Sequence, residues 1–522
     1  MIREISRRKC LRLWLCKPEY MGRTKWENRF VLLRFRKKNY MMFLKDLKRF
    51  KMERLYDKLK AYSESDFYAF HMPGHKRNKA LLGIELPYDL DITEIDGFDD
   101  LHHADGILKE EQERAARVFG AEESHFLVNG STAGILSAVM GCTHRGDKIL
   151  VARHCHKSIY HAIYMNGLVP RYVYPEFDIS MHMNGEISKE DVAKALAAEP
   201  DIKAVVIVSP NYDGVVSDVK GIAEVAHSYR IPLIVDEAHG PHFGFHPAFP
   251  GRANDLGADV VINSLHKTLP SLTQTAILHI NGKIVNRRRI KKYLDMLQSS
   301  SPSYIFMASL DACVDFVDGK CENAFELYVE RLQKFREELK PLQHLQILRT
   351  EHYDISKVVI STANANITSP ELADRLRKEY HLEMEMTGGT YALAMTTVAD
   401  TQEGLDRLKV ALLEIDGQLE AKTAVSGSTE ISGELPRLEQ YFTPQEAADR
   451  EEDGEAEEIP WKESEGHISL EYAYLYPPGS PVIVPGERIS REAVELLCYY
   501  ETQNLQIEGI QTEGKIKVWK HE

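Results

Sequence analysis

From Ser124 to Ser264 the chain repeats one pattern: a short run rich in Val and Ile, a turn, a helix-like stretch, then another run. The runs are HFLV (125–128), KILVA (148–152), AVVIVS (204–209), PLIVDE (232–237) and ADVVINS (258–264), and GIAEVAHSYR (221–230) is one of the helical stretches. Apolar runs that do not alternate with polar residues read as strands covered on both faces. The expected fold is therefore α/β, a mainly parallel sheet with helices on both sides. Sheets of this kind bind ligands outside the carboxyl ends of their strands.

At 522 residues the chain exceeds one ordinary core and calls for two or three domains. The sheet pattern places a large domain, with its N-terminal segment, at 55–320. Residues 322–350 read as a long amphipathic helix and 368–420 as a mixed α/β unit, giving a second domain over 321–423. From 424 to 467 the composition turns to Gly and Ser and then to the acidic run DREEDGEAEE (449–458), which reads as a solvated linker. A C-terminal α+β domain is expected at 468–522, opened by YPPGSPVIVPGE (476–487).

Residues 1–54 hold 18 Lys and Arg against 5 Asp and Glu, a local charge of +13 within a net −14, so the rest of the chain carries −27. An acidic body argues against nucleic-acid binding by the main domains and suits a cationic small molecule. The basic segment has no long apolar core or cleavage site and is not a signal peptide. It reads as a disordered extension, or as sequence upstream of the true start, with Met41, Met42 or Met52 as candidate initiators; a polybasic arm for RNA or anionic lipid is the alternative. No apolar run is long enough to cross a bilayer. The seven cysteines stand singly, without metal-site spacing, so no metal centre is expected and the thiols read as reduced, in a cytoplasmic protein.

Three groups carry chemistry. Lys267 follows the strand-like ADVVIN in Ser264-Leu265-His266-Lys267; a desolvated amine there is a competent nucleophile for an aldehyde, although a strand-end lysine can equally be plain surface. Asp236, at the end of PLIV in Asp236-Glu237-Ala238-His239-Gly240, is costly to bury without a partner, and a protonated ring nitrogen is one such partner; capping the next segment is the other reading. Asn129-Gly130-Ser131-Thr132-Ala133-Gly134, between a strand and a helix, could surround a phosphate or simply cap the helix.

The order of phosphate turn, aspartate and lysine resembles that of fold-type-I pyridoxal 5'-phosphate (PLP) enzymes. Five further stretches narrow the likeness to the ornithine/lysine/arginine decarboxylase family, in the short form without the N-terminal response-regulator-like domain: HMPGHK (71–76), DITEIDGFDDLHH (91–103), HKS (156–158), SPSYIFMASLD (301–311) and YPPGSPVIVPGE. The likeness runs from about Leu55 to the end. It implies decarboxylation of a basic amino acid, arginine or lysine before ornithine, to an amine of polyamine-related metabolism. It further implies that Lys267 holds the cofactor covalently, Asp236 pairs with its ring nitrogen, and His156 stacks on the ring. Ser131, Thr132, Ser264 and His266 would hold the phosphate, and His239 would lie near the phenolic oxygen.

Lys267 or His156 is then the expected proton donor. Asp91, Glu94 and Asp99, with their neighbours Asp96 and Asp100, are candidates for the substrate's distal cation, against the reading of a solvated acidic loop. His71 and His75 either face the site or cap a turn. The resemblance also implies at least a homodimer, with Ser301 to Tyr304 reaching the partner's cofactor phosphate. The C-terminal motif departs from the family's usual YPPG-I-P spacing, as Tyr476-Pro477-Pro478-Gly479-Ser480-Pro481, which puts that domain's packing in question.

Two rivals remain. A fold-type-I aminotransferase or lyase would use the same cofactor residues, but such aminotransferases grip the α-carboxylate with an arginine from the small domain, and no Arg or Lys lies between Tyr380 and Asp406. A regulatory or binding protein on the same fold, with the basic arm as its contact, is the non-enzymatic rival.

Overall fold

The computed structural model describes residues 54–179, 183–422, 434–475, 479–502, 505 and 507–520. The basic extension, the Gly/Ser part of the expected linker, and Tyr476 to Pro478 lie outside the described residues. The unit from Leu55 onward is compact.

Seven strands form the main sheet: β1 (Glu123–Leu127), β2 (Lys148–Ala152), β3 (Val169–Val173), β4 (Val205–Val208), β5 (Leu233–Asp236), β6 (Val260–Asn263) and β7 (Ala276–Ile280). Their order is β1-β7-β6-β5-β4-β2-β3. Neighbours from β3 to β6 are parallel, and β7 alone is reversed, running antiparallel to both β1 and β6. Every residue of β4, β5, β6 and β7 is buried, as the unbroken apolar runs require. Helices α1 (Gly130–Cys142), α2 (Lys157–Met165) and α3 (Val219–Ser228) help to cover the sheet. Each side chain sunk there contributes about 1.5–3 kcal/mol of hydrophobic free energy.

The helix expected over 322–350 is α4 (Glu322–Glu338), shorter because Pro341 follows its cap at Leu339 and cannot continue the i to i−4 ladder. Beyond it, β8 (Gln346–Leu348), β9 (Lys357–Ser361), β10 (Met386–Thr387) and β11 (Tyr391–Met395) form an antiparallel sheet in the order β8-β9-β11-β10. Its core includes Val358, Ile360, Leu372 and Leu412.

The acidic linker reading is corrected from Glu434 onward. Residues 444–452 are helix α5 (Pro444–Glu452), started by a capping box in which Thr443 and Glu446 satisfy each other's backbone N–H. Residues 456–460 are β12 (Ala456–Pro460), paired antiparallel with β13 (Lys515–Trp519). The acidic side chains fall on the outer face and find cations, Glu451 with Lys517 and Glu455 with Arg450, while Ala447 and Trp461 turn inward and are buried. Strands β12 and β13 share a core with the C-terminal helix Arg491–Thr502.

Candidate active site

The carboxyl edge of the sheet gathers the expected residues because each follows a strand end. Asn129 turns the chain from β1 into α1, with Gly130 at φ +72°, a left-handed conformation that suits glycine. Ser131 and Thr132 lie in the first turn of α1, where backbone N–H groups have no partner within the helix. Ser264, after β6, is buried and hydrogen-bonds the Ser131 hydroxyl. Two hydroxyls meeting at the N-terminus of a 13-residue helix make an anion cradle, and a phosphate fits the chemistry of that donor set. His266 gives its Nδ1 proton to the Thr275 carbonyl at 2.9 Å, and burial lowers its pKa. It can therefore donate to an anion only when the ring is protonated.

Asp236 closes β5 with 3 % of its surface exposed. Among the described residues its carboxylate receives one hydrogen bond, from the Ala238 N–H at 3.1 Å. Burial raises its pKa, and the positive charge of Lys267 works against that shift. A buried carboxylate so poorly satisfied accommodates a cationic N–H such as a protonated pyridine nitrogen, so the residues present fit PLP.

Lys267 sits on the short helix Leu265–Thr268, its Nζ 2.8 Å from His239 Nε2 and 5.9 Å from the centre of the Tyr212 ring. Burial pushes the amine's pKa down, with Asp236 and Glu385 opposing. That direction favours a neutral, nucleophilic amine. His156 caps α2: its Nδ1 accepts from the Ser158 N–H at 3.2 Å and contacts the Ser158 hydroxyl at 2.8 Å. Burial and the charges of Lys267 and Lys157 hold its pKa down to about 4. The ring is thus neutral at pH 7, suited to stacking and poor as a proton donor.

His239 is 5 % exposed and leans on Tyr212, ring centres 4.5 Å apart, while the Tyr212 hydroxyl donates to Glu385. Its second nitrogen meets a residue that sequence reasoning missed. Lys357, fully buried at the head of β9, reaches His239 Nδ1 at 3.1 Å. Its pKa is pushed down to about 8, by burial first. The signal for it was present in the sequence, a lysine opening the apolar strand KVVIS, but nothing local says that the strand begins against His239. The stretch from Tyr380 to Asp406 lacks cations, yet the small domain does send one into the site.

The acidic loop is held by its own backbone and by side chains beside it. Asp99 accepts four backbone N–H groups, those of Asp100, Asp105, Gly106 and Leu108, at 2.9–3.0 Å. Those bonds outweigh its burial and lower its pKa, so Asp99 organises the loop. Asp91 pairs with His75 at 3.2 Å, and His75 stacks on Tyr88. His71 takes a contact from the Tyr62 hydroxyl at 2.9 Å. Both histidines therefore tie down their loop. Glu94 is exposed and faces Tyr304 electrostatically. Ser303 caps the helix Tyr304–Val317, and the Tyr304 hydroxyl donates to the Asp99 carbonyl.

A seven-stranded sheet with one reversed strand, carrying a lysine, an aspartate and a hydroxyl cradle at its carboxyl edge, defines the fold-type-I PLP scaffold. The chain belongs to the Orn/Lys/Arg decarboxylase family: the model of that family's major domain matches residues 53–429 and that of its C-terminal domain residues 430–514. It is 34 % identical over 471 residues to an arginine decarboxylase of Bacillus subtilis, covering 87 % of this chain and 95 % of that one. With lysine decarboxylase LdcA of Pseudomonas aeruginosa the identity is 25 % over 552 residues, covering 83 % and 73 %. Among solved structures, the constitutive lysine decarboxylase of E. coli superposes with a TM-score of 0.77 at 20 % identity, over 96 % of this chain and 86 % of that one. Among the described residues no helix is long and apolar enough to cross a membrane.

Proposed function

We propose that the protein is a PLP-dependent decarboxylase of a basic amino acid, with arginine first and lysine second, acting as a homodimer or larger homo-oligomer. The observation that carries this reading is the meeting of Lys267, Asp236 and the Ser131–Ser264 hydroxyl pair at one sheet edge. Bound PLP supplies an electron sink for the electron pair left when a carboxylate departs as CO2.

The chain's own residues then have separable tasks. Asp236 keeps a proton on the ring nitrogen through its carboxylate. Ser131, Thr132, Ser264 and the α1 amides hold the phosphate, with His266 joining them when protonated. His156, neutral, covers the ring. Lys267 anchors the cofactor and, once its amine is free, is the group that can carry a proton to the substrate carbon. Of the acidic loop, Asp91 and Glu94 keep carboxylate oxygens that a guanidinium or ammonium could pair with. Arginine leads because relatives at 32–34 % identity are named arginine decarboxylases.

Assembly is supported by Phe67, Tyr68, Phe70, Met72, Leu81 and Leu82, each more than 60 % exposed, a row that water leaves unfavourably placed until a second copy covers it. The cytoplasm is the compartment that fits this reading, since the five cysteines of the described residues are unpaired. Incubation with arginine, lysine and ornithine tests the function: the matching amine must form, fastest from arginine. Keto-acid formation with 2-oxoglutarate and no amine would point instead to an aminotransferase.

A further inference from the structure

His239 stands between two amines, Lys267 Nζ at 2.8 Å from Nε2 and Lys357 Nζ at 3.1 Å from Nδ1. The hydrogen-bond inventory of an imidazole limits what this can be. A neutral ring offers one N–H donor and one bare acceptor nitrogen, so it can receive a proton bond from only one of the two amines. The other amine must receive the ring's own N–H through a lone pair, and an amine has a lone pair only when it is neutral. Two ammonium groups cannot both be bonded to this ring. Burial, with the charges of both lysines, holds His239 well below its usual pKa, which keeps the ring neutral. The trio therefore holds at most one ammonium, on one of two amines on opposite sides of one imidazole.

Resting on the decarboxylase reading above, we propose that Lys357, His239 and Lys267 form a proton relay, with Lys357 a positioning residue that stores the proton which Lys267 uses. While the Lys267 amine is free and before the proton moves, Lys357 is the ammonium and donates to Nδ1, and Nε2–H donates to the neutral Lys267 amine. During the part of the cycle when that amine is free, one proton moves from Lys357 Nζ to Nδ1 while the Nε2 proton moves to Lys267 Nζ. The balance is closed: Lys357 ends neutral, Lys267 ends as the ammonium, and His239 ends as its other tautomer. Nothing is oxidised or reduced.

The surroundings suit a shuttled charge. Lys357 is faced by Asp354 from its own segment, by Asp213 and Glu385 from neighbouring segments, and by His239 and Lys267 from the large domain. Asp354 is committed elsewhere, to His242 at 3.1 Å and to the Ser356 hydroxyl at 2.7 Å, and Asp213 takes the Tyr391 hydroxyl. Lys267 is faced by Asp236, Glu385, His239 and His156. No carboxylate is hydrogen-bonded to either amine among the described residues, so neither is locked as an ion pair.

The test uses the holoenzyme, with Lys357→Met, Lys357→Arg, His239→Gln and the double variant His239→Gln/Lys357→Met. The first readout is the pH midpoint of the visible absorbance of the cofactor on Lys267, taken without substrate. Removing the neighbouring charge in Lys357→Met raises that midpoint by about one pH unit, because a like charge no longer opposes protonation at Lys267. Arginine keeps the charge but cannot release its proton, so Lys357→Arg leaves the midpoint near that of the wild type and lowers kcat by about 10²-fold. The double variant is no slower than His239→Gln alone, because a relay cut once cannot be cut again.

An unshifted midpoint in Lys357→Met together with full turnover in Lys357→Arg overturns the relay. A large rise in KM with kcat unchanged also overturns it, since Lys357 would then be holding the substrate carboxylate. If Lys357→Met fails to fold, Lys357→Arg and His239→Gln carry the same decision. A wild-type protein with no visible band at all would defeat the cofactor reading itself, a result distinct from either outcome for the relay.

Discussion

Arg153 and Glu487 form a two-pronged ion pair with N–O distances of 2.7 and 2.8 Å, and neither side chain is exposed to solvent. Arg153 directly follows β2 of the main sheet, and Glu487 belongs to the C-terminal domain, where it also receives the Val484 N–H. Arg153 donates a further hydrogen bond to the Val482 carbonyl at 3.0 Å. The C-terminal domain is thereby fastened close to the strand end that leads into His156. Breaking one partner leaves an uncompensated buried charge, so Arg153→Met or Glu487→Gln lowers stability by about 3–5 kcal/mol, read by denaturant unfolding of the holoenzyme. Replacing both by apolar residues recovers much of the loss.

Lys267→Ala abolishes both the visible absorbance and turnover, because Lys267 follows the strand end that carries Ser264, whereas Lys357 lies on the far side of the His239 ring. Borohydride treatment of the wild type, followed by peptide mass mapping, fixes the label on Lys267. A label on Lys357 would reverse the assignment of the two lysines.

Asp236→Asn retains the cofactor and loses kcat by about 10²- to 10³-fold, the scale of losing one preorganised charge at the reacting group. Asp236→Glu keeps the charge and recovers part of the rate. Equal losses in both variants would mean that the position matters for packing alone.

Glu237 supplies a pH prediction for stability. It is 2 % exposed, and burial pushes its carboxyl up to about 8, although it accepts from Ala253 N–H and Asn263. Asn263 Oδ1 has no hydrogen-bond partner, and turning that amide over would let protonated Glu237 donate to it. The folded state binds the proton more tightly than the unfolded chain, so stability falls as pH rises from about 5 to 8 and levels off above. The slope from this one group is at most about 1.4 kcal/mol per pH unit. Glu237→Gln flattens that part of the stability profile, measured by chemical unfolding across the range.

The strands of the main sheet and the residues at its carboxyl edge were legible because both are local: four apolar residues in a row, then Asp236, or Ser264 with His266 and Lys267. Lys357 was not, because what makes it notable is Lys267, ninety residues earlier in the chain and across a domain boundary. The backbone partners of Asp99 were hidden for a different reason. An acidic side chain in a Gly- and His-containing loop looks the same whether it awaits a cation or gathers backbone N–H groups, and only the geometry separates the two. The acidic run over 449–458 misled through composition, which records how many charges there are and not that Ala447 and Ile459 are spaced to face inward across a turn and a strand.

Whether Lys267 and Asp236 serve decarboxylation of a basic amino acid is decided by offering the holoenzyme arginine labelled at its carboxyl carbon and counting products. One labelled CO2 is released for each amine formed, and both are lost in Lys267→Ala. Label retained in a keto acid, with no CO2 released from arginine, lysine or ornithine, would contradict it.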